Sequence, residues 1–227
     1  MPTGPKAPRY LLTTHRVRRI LDQAAARDRD VASALQAFGF PPERRQPPGF
    51  LAIVRIIVGQ RISTKAAATV FERVTNALAD PEDPACILHT SPTVLQQTGL
   101  THSKVRCLHA LAEAVHGGAL DLAVLPRLED AKVSAHLTTI KGIGPWTAQM
   151  YLLFCLGRLD VWPSTDLGVL NGLQYLKGLT KRPSPAESNP LADPFRPERS
   201  AIALLTWHLT HQPELLTWAK AHHKRRR

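Results

Sequence analysis

The segment Leu137-Thr-Thr-Ile-Lys-Gly-Ile-Gly-Pro-Trp-Thr-Ala148 joins two stretches of helical periodicity through a very short turn. Glycines at 142 and 144 allow positive φ, and their missing side chains let backbone N–H groups approach a ligand. Because helix N-termini bind phosphate and other anions, the segment predicts a helical hairpin that holds an anion. The alternative is an ordinary helix-turn-helix corner, which a Gly-x-Gly turn also fits.

Outward from the hairpin, apolar residues recur mostly at helical spacing, and the sequence lacks alternating runs bounded by hairpin turns. The pattern therefore predicts an all-α fold. Helices are expected at 30–38, 50–78, 91–97, 102–116, 128–138, 145–154, 166–176, 199–209 and 213–223. The second of these is interrupted near 59–63. The side chains expected to face inward are Leu51, Val54, Ile57 and Ile62. Prolines at 183, 185, 190 and 194 predict a loop over 179–196.

The charge of the chain points to a polyanionic partner. Its 29 Lys and Arg residues against 18 Asp and Glu residues give a formal net charge of +11. Such an excess predicts phosphate contacts whose affinity falls with salt, although a merely soluble basic protein has the same composition. Part of the excess lies in the tail Lys224 to Arg227, which we expect to fray and to act only non-specifically.

Cysteine and histidine usage argues against disulfides and transition metals. Cys86, Cys107 and Cys155 are too scattered for a disulfide framework or a Cys-x-x-Cys half-site, so buried thiols in a reducing compartment are expected. The ten histidines form no metal-ligand spacing. With no apolar leader and no uninterrupted apolar run of about eighteen residues, the sequence predicts a cytoplasmic protein without a membrane segment.

A carboxylate follows the hairpin in the stretch Asp160-Val-Trp-Pro-Ser-Thr-Asp166-Leu-Gly-Val. Asp166 falls at the expected N-terminus of the next helix. There it could serve as nothing more than a helix cap, since aspartate is a preferred capping residue.

Taken together, the hairpin and this stretch resemble the helix-hairpin-helix of the base-excision DNA glycosylase superfamily (HhH-GPD). In that family the hairpin continues through Pro and Thr-Ala into a helix, and a catalytic aspartate follows. The segments Phe50 to Ala68 and Pro194 to Trp207 resemble two further parts of the family, so the likeness covers about residues 32–207. The branch resembled is 3-methyladenine DNA glycosylase II, the AlkA-like enzymes.

The resemblance implies a two-lobed helical fold with the active-site cleft between the lobes. Residues 1–49 would form an N-terminal segment that packs on the C-terminal lobe. Residues 50–165 would form the central lobe with the hairpin at about 137–148, and residues 166–227 the C-terminal lobe with its basic tail. The N-terminal β-domain of longer family members has no counterpart in front of Asp30.

The resemblance also implies the reaction. Asp166 matches the catalytic aspartate, and Asp160 is the less favoured alternative. Trp146 stands where strand-nicking relatives carry a lysine, which implies a monofunctional enzyme that uses water and leaves an abasic site. The expected substrates are alkylated purines of the 3-methyladenine and 7-methylguanine type, flipped out of double-stranded DNA.

Family positions give the expected contacts. The base pocket would include Trp146, Phe195 and Met150. Trp207 is a further pocket candidate that fits a core position better, and Glu198 replaces a residue that can be aromatic in the family. The DNA contacts would be Lys141, Gly142, Gly144, Thr147, Gln60, Arg61, Ile62 and Ser63, with either Arg61 or Ile62 filling the gap left by the flipped base.

By the same resemblance no cofactor is required. Carbonyls of Thr138, Ile140 and Ile143 would hold a structural Na⁺ or K⁺, and an iron–sulfur cluster is excluded by the cysteine pattern. A monomer acting on damaged duplex DNA is expected. Two alternatives are a non-catalytic helix-hairpin-helix DNA-binding module and a glycosylase for oxidised, deaminated or mismatched bases. A binding module needs neither Asp166 nor Trp146.

Overall fold

The computed structural model of the protein describes residues 10–224, with side chains described to residue 222. Over that range it contains helices and no strand, which confirms the predicted all-α fold. None of the described helices is long and apolar enough to span a bilayer. The described residues cluster into two compact units, which we call the hairpin unit (Gln46–Leu156) and the aspartate unit (Tyr10–Arg45 with 157–224).

The hairpin unit has seven α-helices among its described residues. They are α3 (Phe50–Gly59), α4 (Thr64–Asn76), α5 (Pro84–His89), α6 (Pro92–Gln97), α7 (His102–His116), α8 (Asp130–Thr138) and α9 (Pro145–Met150). A 3₁₀ turn covers Leu125–Arg127, and a π-helical turn, Tyr151–Cys155, continues α9. The apolar helix α3 lies in the core and buries Ile53, Val54 and Ile57.

The predicted interruption after α3 is present, but the placement of Ile62 was wrong. Gln60 ends α3, and Ser63 caps α4 by accepting a hydrogen bond from the Ala66 amide at 3.2 Å. Arg61 between them has φ 57°, which turns the chain away from the helical path. Ile62 therefore lies outside the apolar face and is 40% exposed.

The aspartate unit combines both ends of the described chain. Its helices are α1 (Thr14–Ala25), α2 (Arg29–Phe38), α10 (Leu167–Lys177), α11 (Pro185–Ala192), α12 (Arg199–Leu209) and α13 (Leu215–Lys224). The helix pair α10 and α12 is packed closely at Gly172. A Cβ atom at that residue would lie 2.1 Å from the Thr206 carbonyl oxygen.

The boundary between the units differs from the predicted one at 165/166. Residues 157–165 belong to the aspartate unit because their polar groups bond to α11 and α12. Asp160 pairs with Arg199 at 2.7 Å, and the Val161 amide donates to Ser200 Oγ at 2.9 Å. Residues 10–45 also cluster in this unit, whereas the predicted packing of residues 1–9 and fraying of 225–227 lie outside the described residues.

The proline-rich segment 179–196 was wrongly predicted to be a loop. It contains α11, followed by a 3₁₀ turn at Asp193–Phe195. Ser184 and Glu187 form a capping box, and Pro185 occupies the first helical turn, where a missing N–H has no cost. Two further helices, α1 and α5, were not predicted.

Adding a methyl group at the contact between α10 and α12 should destabilise the protein. Gly172→Ala places its Cβ against backbone at Thr206, so the helices must separate. Overpacking of this kind costs about 1–3 kcal/mol, which corresponds to a fall in melting temperature of roughly 2–10 °C for a chain of this size. Thermal unfolding followed by circular dichroism measures the change.

Gly59→Ala is the matched control. It also replaces a helical glycine, but the nearest described atom to the new Cβ would be Ala67 Cβ at 3.9 Å, an ordinary contact. We expect its melting temperature to equal or slightly exceed that of the wild type. Equal melting temperatures for the two variants would contradict the close packing of α10 on α12.

Candidate functional site

The hairpin between α8 and α9 uses its two glycines differently. Gly142 has φ 97°, and a Cβ there would lie 2.8 Å from both Cβ and Sγ of Cys107. Gly144 caps α9 with φ −100°, so it does not use the positive φ that a glycine allows. A Cβ at Gly144 would meet no described atom within 4 Å beyond its chain neighbours. Gly142 is thus required by packing, whereas Gly144 leaves open space at the start of α9.

Cys107 supports the hairpin as a neutral packing group. Its side chain is buried in α7 beneath Gly142. Burial raises the pKa of the Cys107 thiol to about 11, so it stays protonated at neutral pH. This close contact fixes the height of the turn above α7.

Gln60 ties the loop after α3 to the hairpin. Its Nε2 donates to Thr147 Oγ1 at 3.0 Å and to the Gly142 carbonyl at 3.3 Å. On the other side of the loop, Lys104 Nζ donates to the Val58 carbonyl at 2.8 Å near the end of α3. Burial lowers the pKa of Lys104. These bonds hold the loop 60–63 and the hairpin together within one unit.

The predicted DNA contacts in this cluster divide into exposed and committed side chains. Lys141, Arg61 and Ile62 are exposed. Thr147 is buried, and its hydroxyl accepts from Gln60, so these two side chains brace the cluster. Ser63 is committed to capping α4.

The three predicted pocket residues are distributed over both units and differ in burial. In the hairpin unit, Trp146 is half-buried, whereas Met150 is only 4% exposed. In the aspartate unit, Phe195 is also 4% exposed, and Lys177 Nζ lies 5.6 Å from its ring centroid. Of these three side chains, only that of Trp146 is partly exposed.

Asp166 is both a helix cap and the partner of a tryptophan. It is the N-cap of α10, and its Oδ1 accepts from the Val169 amide at 2.9 Å. The same oxygen accepts from Trp207 Nε1 on α12 at 2.8 Å. Gly168 makes room for this bond, since a Cβ there would lie 2.7 Å from Trp207 Cδ1. The interpretation of Trp207 as a simple core residue therefore misses its polar function.

Arg44 joins this pair and was not identified from the sequence. Its Cζ lies 5.9 Å from the Trp207 ring centroid. Burial lowers the pKa of Arg44, and the nearby Asp166 carboxylate acts in the opposite direction. The residue lies in the segment 41–49, where prolines indicate only a break between helices, so no periodic signal marks it.

Asp160, the alternative catalytic residue, has a structural role. Its carboxylate pairs with Arg199 at 2.7 Å and with Arg196 at 3.1 Å. These ion pairs fasten the segment before α10 to the start of α12. Leu167, directly after Asp166, is a large apolar side chain that is 60% exposed, and sequence reasoning did not single it out.

The carbonyls of Thr138, Ile140 and Ile143 provide the donor type that a hard monovalent cation requires. Thr138 and Ile140 lie at the C-terminal end of α8, where carbonyl oxygens carry the negative end of the helix dipole. The Ile140 carbonyl accepts from the Ile143 amide at 3.0 Å, and a carbonyl oxygen has a second lone pair. Among the described residues, no group of three His, Cys, Asp or Glu side chains could hold a metal ion.

A carboxylate held by two N–H donors at a helix N-terminus can stabilise a developing positive charge or orient a water molecule. Its orientation is fixed from two directions, by its own helix and by α12. The aspartate unit thus contains a carboxylate held in a fixed orientation. The hairpin unit contains a turn in which the backbone at Gly144 is not covered by any described side chain.

Comparison with known proteins identifies relatives that align with most of this sequence. The model of the HhH-GPD superfamily of base excision DNA repair proteins matches residues 54–197. DNA-3-methyladenine glycosylase 1 of Schizosaccharomyces pombe is 30% identical over 181 residues, which cover 78% of this chain and 77% of the relative.

Solved structures agree with this likeness. The S. pombe 3-methyladenine DNA glycosylase Mag1 in complex with abasic DNA superposes with a TM-score of 0.81 at 26% identity, covering 86% of this chain and 98% of that one. The DNA-3-methyladenine glycosidase of Bacillus halodurans gives a TM-score of 0.71 at 29% identity, covering 90% and 94%.

Alanine substitutions at the two hairpin glycines should differ in their effect on the stability of the protein. Gly142→Ala combines positive φ with an overlap at Cys107, so it should lower the melting temperature through a loss of about 2 kcal/mol. Gly144→Ala meets no such overlap and should melt like the wild type. Thermal unfolding of both variants tests this, and a stable Gly142→Ala variant would contradict the described contact.

Proposed function

Because the chain belongs to the HhH-GPD superfamily of base excision DNA repair proteins, we propose that it is a monofunctional glycosylase acting on alkylated purines in double-stranded DNA. It flips the damaged nucleotide and hydrolyses the bond between base and deoxyribose, leaving an abasic site. The observation that carries this proposal is the Asp166 carboxylate, held by the Val169 amide and the Trp207 indole. The names of the relatives support 3-methyladenine as the substrate type. We extend the proposal to 7-methylguanine, which is likewise a purine alkylated at a ring nitrogen.

The reaction needs a stabilised sugar cation more than a strong acid. Alkylation at a ring nitrogen makes the purine cationic, so it departs as a neutral base without prior protonation. Positive charge builds on the sugar as the bond breaks, and a preoriented carboxylate stabilises that charge. Asp166 supplies this stabilisation or orients the attacking water, whose oxygen then bonds to C1′ while its proton is lost.

Trp207 is a positioning residue in this scheme. Its indole N–H bonds to the same Asp166 oxygen that caps α10. The carboxylate is thereby held by groups from two helices and cannot rotate without breaking both bonds. Such preorganisation avoids reorienting the carboxylate during the reaction.

Selection of the substrate depends on flipping and stacking. Extruding a base costs a few kcal/mol, least for a damaged or poorly paired base. Trp146 is half-buried and offers an aromatic face to a cationic purine through cation–π attraction. The exposed Arg61 and Ile62 both remain candidates for filling the gap in the duplex.

The hairpin unit provides the contacts with the DNA backbone. The open backbone at Gly144 and the exposed Lys141 approach phosphate, and a Na⁺ or K⁺ on the carbonyls of Thr138, Ile140 and Ile143 would help to neutralise it. No cofactor takes part in the chemistry proposed for this chain. We further propose that the protein acts as a monomer in the cytoplasm, where it has access to DNA.

Replacing the carboxylate by its amide should abolish base release while binding persists. Asp166→Asn keeps the capping oxygen for α10 but removes the negative charge. We expect the rate of free methylated purine release from methylated duplex DNA to fall by about 10²–10³-fold or more. Single-turnover release and binding of the same duplex are measured in parallel.

Asp83→Asn is the matched control, because Asp83 is also an N-cap aspartate, accepting from the Ala85 amide at 2.9 Å on α5. It should release purine like the wild type. Wild-type protein that binds but releases nothing from methylated DNA would refute the alkylpurine assignment, and a panel of oxidised, deaminated and mismatched duplexes would then separate another glycosylase from a binding module.

The product strand should remain intact. Trp146 has no amine to attack the sugar, so no Schiff base forms between protein and DNA. Reacted DNA should run at full length until alkali cleaves the abasic site, and borohydride should trap no protein–DNA adduct. Strand cleavage that coincides with base release in the absence of alkali would contradict the monofunctional assignment.

A further inference from the structure

Arg44 is placed where a surface arginine rarely lies. Its guanidinium is half-buried against the ring of Trp207, with Cζ 5.9 Å from the ring centroid, and it lies within electrostatic reach of Asp166. Three groups of the aspartate unit therefore form one cluster, in which Trp207 contacts both the carboxylate and the cation. The base release chemistry proposed above uses Asp166 and Trp207 and leaves Arg44 without a function.

The proposed function creates an electrostatic conflict at Asp166. A carboxylate that stabilises the sugar must approach a nucleotide that is flanked by two phosphates, each with a negative charge. Like charges brought together in a partly desolvated site repel each other more strongly than in water. Without a nearby cation, the carboxylate would oppose binding of the very nucleotide that it acts on.

We propose that Arg44 is a charge-compensating residue, which balances Asp166 so that a flipped nucleotide and its phosphates can be bound beside the carboxylate. This inference rests on the proposed function, because it assumes that the sugar lies at Asp166. Arg44 acts on substrate affinity through Asp166, and the bond-breaking step itself does not involve it.

The chemistry of the side chain fits this task. A guanidinium keeps its proton at all relevant pH values, so its charge persists even though burial lowers the pKa of Arg44. The guanidinium lies over the Trp207 indole with Cζ 5.9 Å from the ring centroid, a cation–π contact that holds the charge near this ring. The next residue, Arg45, has the same charge but is exposed, and its Cζ lies 4.9 Å from the ring centroid of Tyr10.

This pair of neighbouring arginines provides a test with a matched control. The probe is a duplex with a single tetrahydrofuran abasic-site analogue, which cannot react, and fluorescence anisotropy gives its dissociation constant. Arg44→Gln should weaken binding about tenfold, whereas Arg45→Gln should weaken it about twofold, the general effect of losing one positive charge. Arg44→Lys keeps the charge and should bind within about twofold of the wild type.

A double-mutant cycle shows whether Arg44 acts through Asp166. In an Asp166→Asn background there is no carboxylate to balance, so adding Arg44→Gln should weaken binding by no more than about twofold. A tenfold loss that persists in this background would overturn the proposal and identify Arg44 as a direct phosphate contact. Equal losses for Arg44→Gln and Arg45→Gln in the wild-type background would overturn it as well.

Two measurements keep the outcomes distinct. Melting temperatures of all variants identify an unfolded Arg44→Gln protein, in which case Arg44→Met, of similar length and without charge, takes its place in the cycle. Release of methylated purine by the wild type tests the proposed function separately. Wild-type protein without release contradicts that function, whereas release together with a cycle showing no coupling contradicts only the role of Arg44.

Discussion

The close approach of α10 to α12 determines where the Asp166 carboxylate can be. Gly172 lets the backbone of α10 pack against Thr206, and Gly168 lets it pack against the indole of Trp207. Because neither Gly168 nor Gly172 has a side chain, the Trp207 indole N–H comes within 2.8 Å of Asp166 Oδ1. A larger residue at either glycine would move one helix away from the other. The orientation of the carboxylate is therefore set by two residues that carry no chemistry themselves.

In the hairpin unit a glycine likewise allows a close contact, in this case with Cys107. Gly142 gives the turn its positive φ and its contact with Cys107, and the Gln60 amide then bonds to the carbonyl of that glycine and to Thr147. The exposed loop residue Arg61 is thus held next to a turn whose backbone is fixed from below. Thr147 is buried, and the Gln60 Nε2 group donates its hydrogen bonds inside the cluster. The contribution of Gln60 and Thr147 is to hold the surrounding backbone in place.

Local sequence signals predicted the long helices because their apolar spacing is strong, and α7 and α12 have the predicted bounds. The segment 179–196 was misjudged because prolines were treated as breakers, although Pro185 occupies a first-turn position. Asp166 could be found because a motif surrounds it. Arg44 could not, since its contact with Trp207 joins residues 163 positions apart in a segment without periodicity. Tertiary contacts of this kind leave no trace in local spacing.

The capping role of Asp166 is compatible with the chemical role proposed for it. Helix α10 requires an oxygen at its N-cap, and asparagine or serine would provide one equally well. The Trp207 indole likewise requires only an acceptor, which an amide oxygen also supplies. Neither bond explains a negative charge, and keeping that charge beside a half-buried guanidinium requires desolvating two ions. Folding thus accounts for the oxygen at this position, whereas the charge is what the proposed stabilisation of a positive sugar requires.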